Sequence, residues 1–211
     1  ESLRSLATTL ALLWLFGASL RLTVLAVPPL IPGIHESLSL TQAAVGALTT
    51  LPVLTFSLMA LPGAVLIARF GAARVLALGL ALAAFASAAR GLAPGTATLF
   101  AATFLMGMGI AFMQPALPTI VRTRLPTRIA LGTTVYSNGL LVGEALPASL
   151  TLPFVIPALD GSWRASLVAW SVPVALVFLA ALPAALARRG PAHAREPVRW
   201  WPDWRSPQVW A

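Results

Sequence analysis

Six long apolar runs alternate with short, more polar links along the chain. The runs are approximately Leu6–Pro29, Thr41–Ile67, Ala72–Leu92, Thr96–Val121, Ile129–Val155 and Trp163–Leu186. About 20 helical residues span the hydrocarbon core of a bilayer, so each run is long enough to cross it. Backbone groups inside a bilayer must be hydrogen-bonded within the chain, which predicts that each run is a helix. The pattern therefore predicts an all-α membrane protein with six transmembrane helices.

The composition agrees with a membrane protein. Of the 211 residues, 58% are hydrophobic and 9% are charged, and the mean hydropathy is +0.87. A water-soluble domain of this size needs more polar surface. There is no cysteine, which excludes disulfides and thiolate metal sites. The two histidines, His35 and His193, lie in links without ligand-like spacing, so we expect neither a metal nor a cofactor.

The charged residues predict how the chain crosses the membrane. All fourteen basic residues are arginines, and they lie mostly at the ends of the apolar runs, so the net charge of +8 does not indicate nucleic-acid binding. With the N-terminus in the cytoplasm, the cytoplasmic side carries eleven of them: Arg4, Arg69, Arg74, Arg122, Arg124, Arg128, Arg188, Arg189, Arg195, Arg199 and Arg205. Cytoplasmic links carry the basic excess. We therefore expect a multi-pass protein of the inner (plasma) membrane with both termini in the cytoplasm.

The chain also repeats itself at an offset of 86 residues. Pro29–Ile34 falls on Pro115–Ile120, and both segments read Pro-x-x-Pro-x-Ile. At the same offset Thr41 falls on Thr127. Units of three helices must lie in opposite orientations, and inverted three-helix repeats are a transporter architecture.

Two local patterns predict details of the helices. Gly139-x-x-x-Gly143 in the fifth run predicts a close approach to another helix. Ser39-x-x-Gln42 predicts a capping box at the start of the second helix.

Several segments, in this order and spacing, resemble one protein family. They are Arg21 ahead of Pro29–Pro32, Gly46-Ala47-Leu48-Thr49-Thr50-Leu51-Pro52, Ala68-Arg69-Phe70-Gly71-Ala72-Ala73-Arg74, Gly107-Met108-Gly109-Ile110-Ala111, Pro115–Pro118, Tyr136 and Trp163-Arg164. Together they resemble the amino-terminal half of a major facilitator superfamily transporter. Within that superfamily they are most similar to the cyanate and 2-nitroimidazole permease-like branch.

The resemblance implies a twelve-helix fold of two halves, of which this chain is one. Residues 1–190 would be a six-helix bundle of two inverted three-helix repeats. Residues 191–211 would be a cytoplasmic or interfacial linker towards a second half that this chain lacks, so we expect a piece of a longer polypeptide. The chain departs from the family pattern at Ala68, where an aspartate is usual, and at Glu144, where the branch has a small residue.

Arg21 is the first candidate for a functional charge inside the membrane. It lies near the middle of the first run, where a charge costs at least about 2.5–3.5 kcal/mol. Arginine stays protonated, and its planar fork suits oxyanions and carboxylates. The resemblance supports an anion-binding role in the central cavity. The alternative is a structural ion pair.

Glu144 lies at a similar depth in the fifth run. A lone buried carboxylate takes up a proton, whereas a carboxylate beside an arginine stays ionised. Glu144 is therefore a proton-coupling site, the counter-ion of an arginine, or the receiver of a cationic group on the substrate.

Other polar side chains in the runs are weaker candidates. Arg90 lies near the outer end of the third run and would line an entry vestibule or reach the lipid headgroups. Gln114, Tyr136 and Asn138 would donate hydrogen bonds to a substrate or bond to neighbouring helices.

The sequence thus favours a secondary transporter that moves a small, mainly anionic solute by alternating access. Its partners would be the solute, the lipid bilayer and the second half. An oligomeric anion channel and a transporter of a neutral or zwitterionic compound, such as a drug exporter, remain alternatives. No nucleotide-binding loop or catalytic constellation is visible, so an enzyme is not expected.

Overall fold

The computed structural model of the protein describes residues 3–186. Its helices are α1 Leu3–Leu25, α2 Ile31–Leu38, α3 Gln42–Phe70, α4 Ala72–Gly91, α5 Thr96–Arg124, α6 Ile129–Leu150, α7 Ile156–Ala158 and α8 Trp163–Leu186. The predicted linker 191–211 and the arginines from Arg188 onwards lie outside the described residues.

Six segments of this structure are long and apolar enough to cross a membrane. They are Leu3–Leu38, Gln42–Phe70, Ala72–Gly91, Thr96–Arg124, Ile129–Ala158 and Trp163–Leu186. Each coincides with one of the six predicted runs, so the prediction of an all-α fold with six spans is confirmed. The first span is longer than its predicted run because helical structure resumes in α2.

Prolines lie where the regular α-helix is interrupted in the first and fifth spans. Pro28 and Pro29 have no backbone N–H, so they cannot bond to carbonyls in the last turn of α1. The chain therefore leaves α1 at Leu25, forms a 3₁₀ turn over Pro28–Leu30 and continues as α2. In the fifth span a wider, π-helical turn over Thr151–Val155 contains a proline and connects α6 to α7.

The start of α3 differs from the predicted capping box. Thr41 is the N-cap, with an extended backbone, and its side chain accepts a hydrogen bond from the backbone nitrogen of Ala44 at 3.2 Å. Ser39 instead ends α2 in the left-handed region, with φ of 47°. The prediction of a Ser39–Gln42 box was wrong because α2 continues through Leu38 and uses Ser39 as its C-cap.

The packing of the long helices follows the pairing that an inverted repeat requires. α1 packs on α6, α3 packs on α5, and α4 packs on both α5 and α8. A two-fold rotation that exchanges α1, α3 and α4 with α5, α6 and α8 turns the α1–α6 contact into the α5–α3 contact. The same rotation exchanges α4 with α8 and so maps the α4–α8 contact onto itself. The pairing therefore supports two three-helix units of opposite orientation.

Burial separates the six spans into two groups. In α3 and α6 only 17% and 22% of the most apolar stretch is buried, against 39–56% in the other spans. α3 and α6 thus lie at the outer edges of the bundle, on either side of α5 and α1. The seam between α1 and α6 is consequently accessible from the surface of the six-helix unit.

Candidate functional site

The seam between α1 and α6 is built on three glycines. A Cβ atom at Gly139 would overlap the carbonyl oxygen of Trp14, and one at Gly143 would overlap that of Ala18. From the other side, a Cβ atom at Gly17 would overlap the carbonyl oxygen of Tyr136. Small residues of this kind let two membrane helices approach backbone to backbone. The close approach predicted from Gly139-x-x-x-Gly143 is confirmed.

This close approach brings polar side chains of the two helices together. The Trp14 indole Nε1 donates a hydrogen bond to the Asn138 Oδ1 at 2.9 Å. Further along the seam, the Arg21 Nε lies 3.2 Å from the Glu144 Oε1. Trp14 and Arg21 are seven residues apart and therefore share one face of α1. The site is thus a polar strip along the α1–α6 seam, and we call it the seam site.

The ion pair lies deep in the predicted membrane region. Arg21 is near the middle of the span Leu3–Leu38, and Glu144 is near the middle of the span Ile129–Ala158. Their side chains are still 31% and 38% exposed, so the pair opens towards the surface of the six-helix unit. A charge at this depth that faces an opening is typical of a ligand pathway.

The geometry of the Arg21–Glu144 pair indicates how each charge could interact with a solute. Of the three interpretations of Glu144, the arrangement has the form expected for a counter-ion, because its carboxylate lies against the Arg21 guanidinium. Arg21 makes no hydrogen bond to another of the described residues, and its side chain is partly exposed. A guanidinium carries five N–H donors, and the contact with Glu144 is made through Nε. An external anion can therefore approach the same cation.

The other polar candidates take different positions. Asn138 belongs to the seam site through its bond to Trp14. Tyr136 is half-buried on α6, and its backbone carbonyl lies against α1 at Gly17. Gln114 is exposed on α5, and its side chain is not hydrogen-bonded to Arg21, Asn138 or Glu144. Substrate binding by these three residues stays a prediction.

Arg90 is the clearest departure from the sequence-based expectation. Its side chain is 1% exposed, so it neither lines an open vestibule nor reaches the headgroups, and that prediction was wrong. Its Nη2 donates to the carbonyl oxygen of Thr23 at 2.7 Å and to the Ser87 hydroxyl at 3.0 Å. Arg90 therefore binds the C-terminal end of α1, two residues from Arg21.

The proline break explains why Arg90 is buried there. In a continuous helix the Thr23 carbonyl would accept the Val27 N–H, but this N–H bonds to the Val24 carbonyl instead. Arg90 satisfies the freed Thr23 carbonyl, and a cation at a helix C-terminus also interacts favourably with the helix dipole. Arg164 binds the link after α4, because its Nη1 donates to the Ala93 carbonyl. Arg90 and Arg164 thus each satisfy a backbone carbonyl near a helix end.

The fold and the seam site define the class of the protein as a multi-pass, all-helical membrane protein with an ion pair inside a six-helix unit. Within that class, the chain belongs to the Major Facilitator Superfamily, whose family model matches residues 11–210.

Three curated relatives show which members of the superfamily the chain is similar to. The chain is similar to the 2-nitroimidazole transporter of Escherichia coli (strain K12), with 32% identity over 92% of the chain and 44% of that protein. It is similar to the cyanate transport protein of the same organism, with 29% identity over 81% of the chain and 44% of that protein. An uncharacterized transporter of Bacillus subtilis (strain 168) is 28% identical over 91% of the chain and 47% of its own length. No solved structure matches the chain significantly.

These comparisons confirm the predicted resemblance to the cyanate and 2-nitroimidazole branch. They also agree with the expectation that the chain is not an enzyme, because the relatives are all named as transporters. The chain spans less than half the length of the curated relatives that it matches. Among residues 3–186, no group of three or more histidine, aspartate or glutamate residues is placed to hold a metal ion.

Proposed function

We propose that the protein containing this chain is a secondary active transporter that moves a small solute, in the first place an anion, by alternating access. The observation that carries the proposal is the Arg21–Glu144 ion pair. It lies near the middle of two predicted spans, yet both side chains are about one third exposed. The residues that bind the solute would be Arg21 and its neighbours in the seam site. A second six-helix half would close the site from the exposed side.

In this proposal the solute competes with Glu144 for the Arg21 guanidinium. The anionic group of the solute forms charge-assisted hydrogen bonds with the N–H donors of Arg21. The Glu144 carboxylate is then released from Arg21 and becomes available to a proton or to a cationic group on the solute. Binding is thereby linked to the charge state of Glu144, which is a simple basis for proton-coupled transport.

The names of the relatives support small, planar solutes with hydrogen-bond acceptors. Cyanate is a small anion, and 2-nitroimidazole carries a nitro group whose two oxygen atoms present acceptors much as a carboxylate does. The planar fork of an arginine matches the nitro group, and its positive charge and N–H donors suit the linear cyanate anion. The 2-nitroimidazole relative specifically favours a second candidate, transport of a neutral heteroaromatic compound by the same site.

Substitution of Glu144 by glutamine tests the role of the pair. The change removes the negative charge at nearly constant shape, so Arg21 loses its internal competitor. If Glu144 is the counter-ion, cyanate should bind several-fold more tightly to the full-length protein in proteoliposomes. If it is the coupling site, uptake driven by a pH gradient should be lost while exchange persists.

The control for this substitution is Glu36→Gln, because Glu36 is an exposed acid on α2, outside the seam site. It should leave both readouts unchanged. Wild-type affinity together with wild-type pH-driven uptake in Glu144→Gln would contradict any role for this residue in binding or coupling.

We also propose that the α3–α4 and α5–α6 links face the cytoplasm. The described arginines at these links are Arg69, Arg74, Arg122, Arg124 and Arg128. The 211-residue sequence has no cysteine, so single cysteines can report the topology. In intact cells an impermeant thiol reagent should label Glu36→Cys but not Pro126→Cys, and both positions are exposed. Labelling of Pro126→Cys from outside would contradict the proposed orientation.

A further inference from the structure

Two cavities lie at the end of the bundle that we assign to the cytoplasm. The first has a volume of about 300 Å³ and lies between α1, α4, α5 and α8. The second has a volume of about 390 Å³ and lies beside the start of α1 and the link after α5. Arg124 lines both cavities, so they adjoin at this residue. Their volumes fall at the small end of the range for ligand pockets.

The lining of these cavities combines cations with apolar surface. The first contains Arg74 and Arg124, and the second contains Arg124 and Arg128. No acidic residue among the described ones lines either cavity. The rest of the first cavity is mainly apolar, with Leu12 and Phe16 on α1 among its lining residues.

The three arginines that line the cavities are available for an anionic ligand. We call Arg74, Arg124 and Arg128 the rim arginines. Arg74 is held in place because its Nε donates to the Ala185 carbonyl at 3.3 Å, while its side chain remains exposed. Arg124 and Arg128 are exposed as well. The nearby hydroxyls of Thr9, Thr119 and Thr123 already donate to carbonyls of their own helices. None of these three bonds involves Arg74, Arg124 or Arg128.

We propose that these cavities are a binding site for an anionic phospholipid of the cytoplasmic leaflet. The phosphate would lie between Arg74 and Arg124, with Arg128 at its edge, and an acyl chain would lie along the apolar wall of the first cavity. Basic pockets between transmembrane helices on the cytoplasmic side bind acidic lipid headgroups. A free phosphate would leave the apolar wall uncovered, and a neutral lipid would leave the cations unpaired, so the anionic lipid fits the lining best.

Such a lipid would connect the two three-helix units. The first cavity is lined by α1 and α4 of one unit and by α5 and α8 of the other. A ligand that bridges both units and binds only the folded bundle stabilises it by mass action. The inference does not depend on which solute the seam site binds.

Lipid binding to the purified full-length protein tests the inference. Native mass spectrometry and thermal melting would be measured with dioleoyl phosphatidylglycerol, with dioleoyl phosphatidylcholine and with inorganic phosphate. We expect phosphatidylglycerol alone to remain bound and to raise the melting temperature. Arg124→Gln should reduce retained phosphatidylglycerol by about fivefold or more, because Arg124 lines both cavities.

The matched control is Arg122→Gln, since Arg122 lies in the same last turn of α5 and lines neither cavity. It should retain the lipid as the wild type does. Equal loss in both variants, equal binding of phosphatidylcholine, or the same thermal shift with inorganic phosphate would overturn the inference. If Arg124→Gln gives no folded protein, Arg74→Gln and Arg124→Lys replace it, with reduced and retained binding expected respectively. Unchanged retention in Arg74→Gln would then overturn it.

Discussion

Arg21→Lys is expected to weaken binding of a small anion by about tenfold or more. Lysine keeps the positive charge but loses the fixed, planar set of N–H donors that a guanidinium presents to an anion. A hydrogen bond to a charged group contributes about 1.5–3 kcal/mol, and about 1.4 kcal/mol corresponds to tenfold in affinity. Titration of the full-length protein with cyanate in proteoliposomes measures the change.

The control for Arg21→Lys is Arg4→Lys, which makes the same exchange at an exposed position in the first turn of α1. Arg4→Lys should bind the anion like the wild type. If Arg21→Lys also retains wild-type affinity, Arg21 does not bind the solute. In that case the Arg21–Glu144 pair is a structural ion pair, which is the alternative that the sequence left open.

Gly143→Ala is expected to destabilise the folded protein, although alanine is the better helix former. The added Cβ atom would overlap the carbonyl oxygen of Ala18, which belongs to the backbone of α1 and cannot move without the helix. Overpacking of this kind costs typically about 1–3 kcal/mol. We expect a lower melting temperature and a lower yield of monodisperse protein, with a larger effect for Gly143→Val.

Gly46→Ala is the matched control for this prediction. Gly46 also lies within a long helix, α3, and a Cβ atom there would meet nothing within 4 Å. Since alanine is favoured over glycine in a helix by about 1 kcal/mol, Gly46→Ala should be neutral or slightly stabilising. Opposite signs for the two substitutions are the expected result. Equal melting temperatures for Gly143→Ala and Gly46→Ala would show that α1 and α6 do not pack as closely as the structure has them.

The six spans could be predicted because the bilayer imposes a length and an apolar composition on each of them. The details at the helix ends were harder to predict. A run of apolar residues does not show that Pro28 and Pro29 end α1, nor that α2 follows and makes Ser39 a C-cap. Local turn geometry at these places depends on backbone hydrogen bonds that hydropathy does not record.

The contact between Arg21 and Glu144 could be predicted from the sequence. Both charges lie at similar depths, and Glu144 is the only acid inside any of the six apolar runs. The Trp14–Asn138 bond was missed, although the seven-residue spacing from Trp14 to Arg21 is a signal for one helix face. Arg90 was misplaced for a clear reason. An arginine near the end of a span looks the same in sequence whether it faces headgroups or caps a carbonyl freed by a distant proline.

Counterflow of the solute tests most directly the central claim, which is that the protein moves the solute by alternating access at the seam site. Proteoliposomes with the full-length protein would be loaded with unlabelled cyanate and diluted into a trace of labelled cyanate. The account predicts transient, saturable accumulation of label above equilibrium, which Arg21→Lys abolishes at the same concentration. Linear, unsaturated entry without accumulation, as in an anion channel, would contradict it.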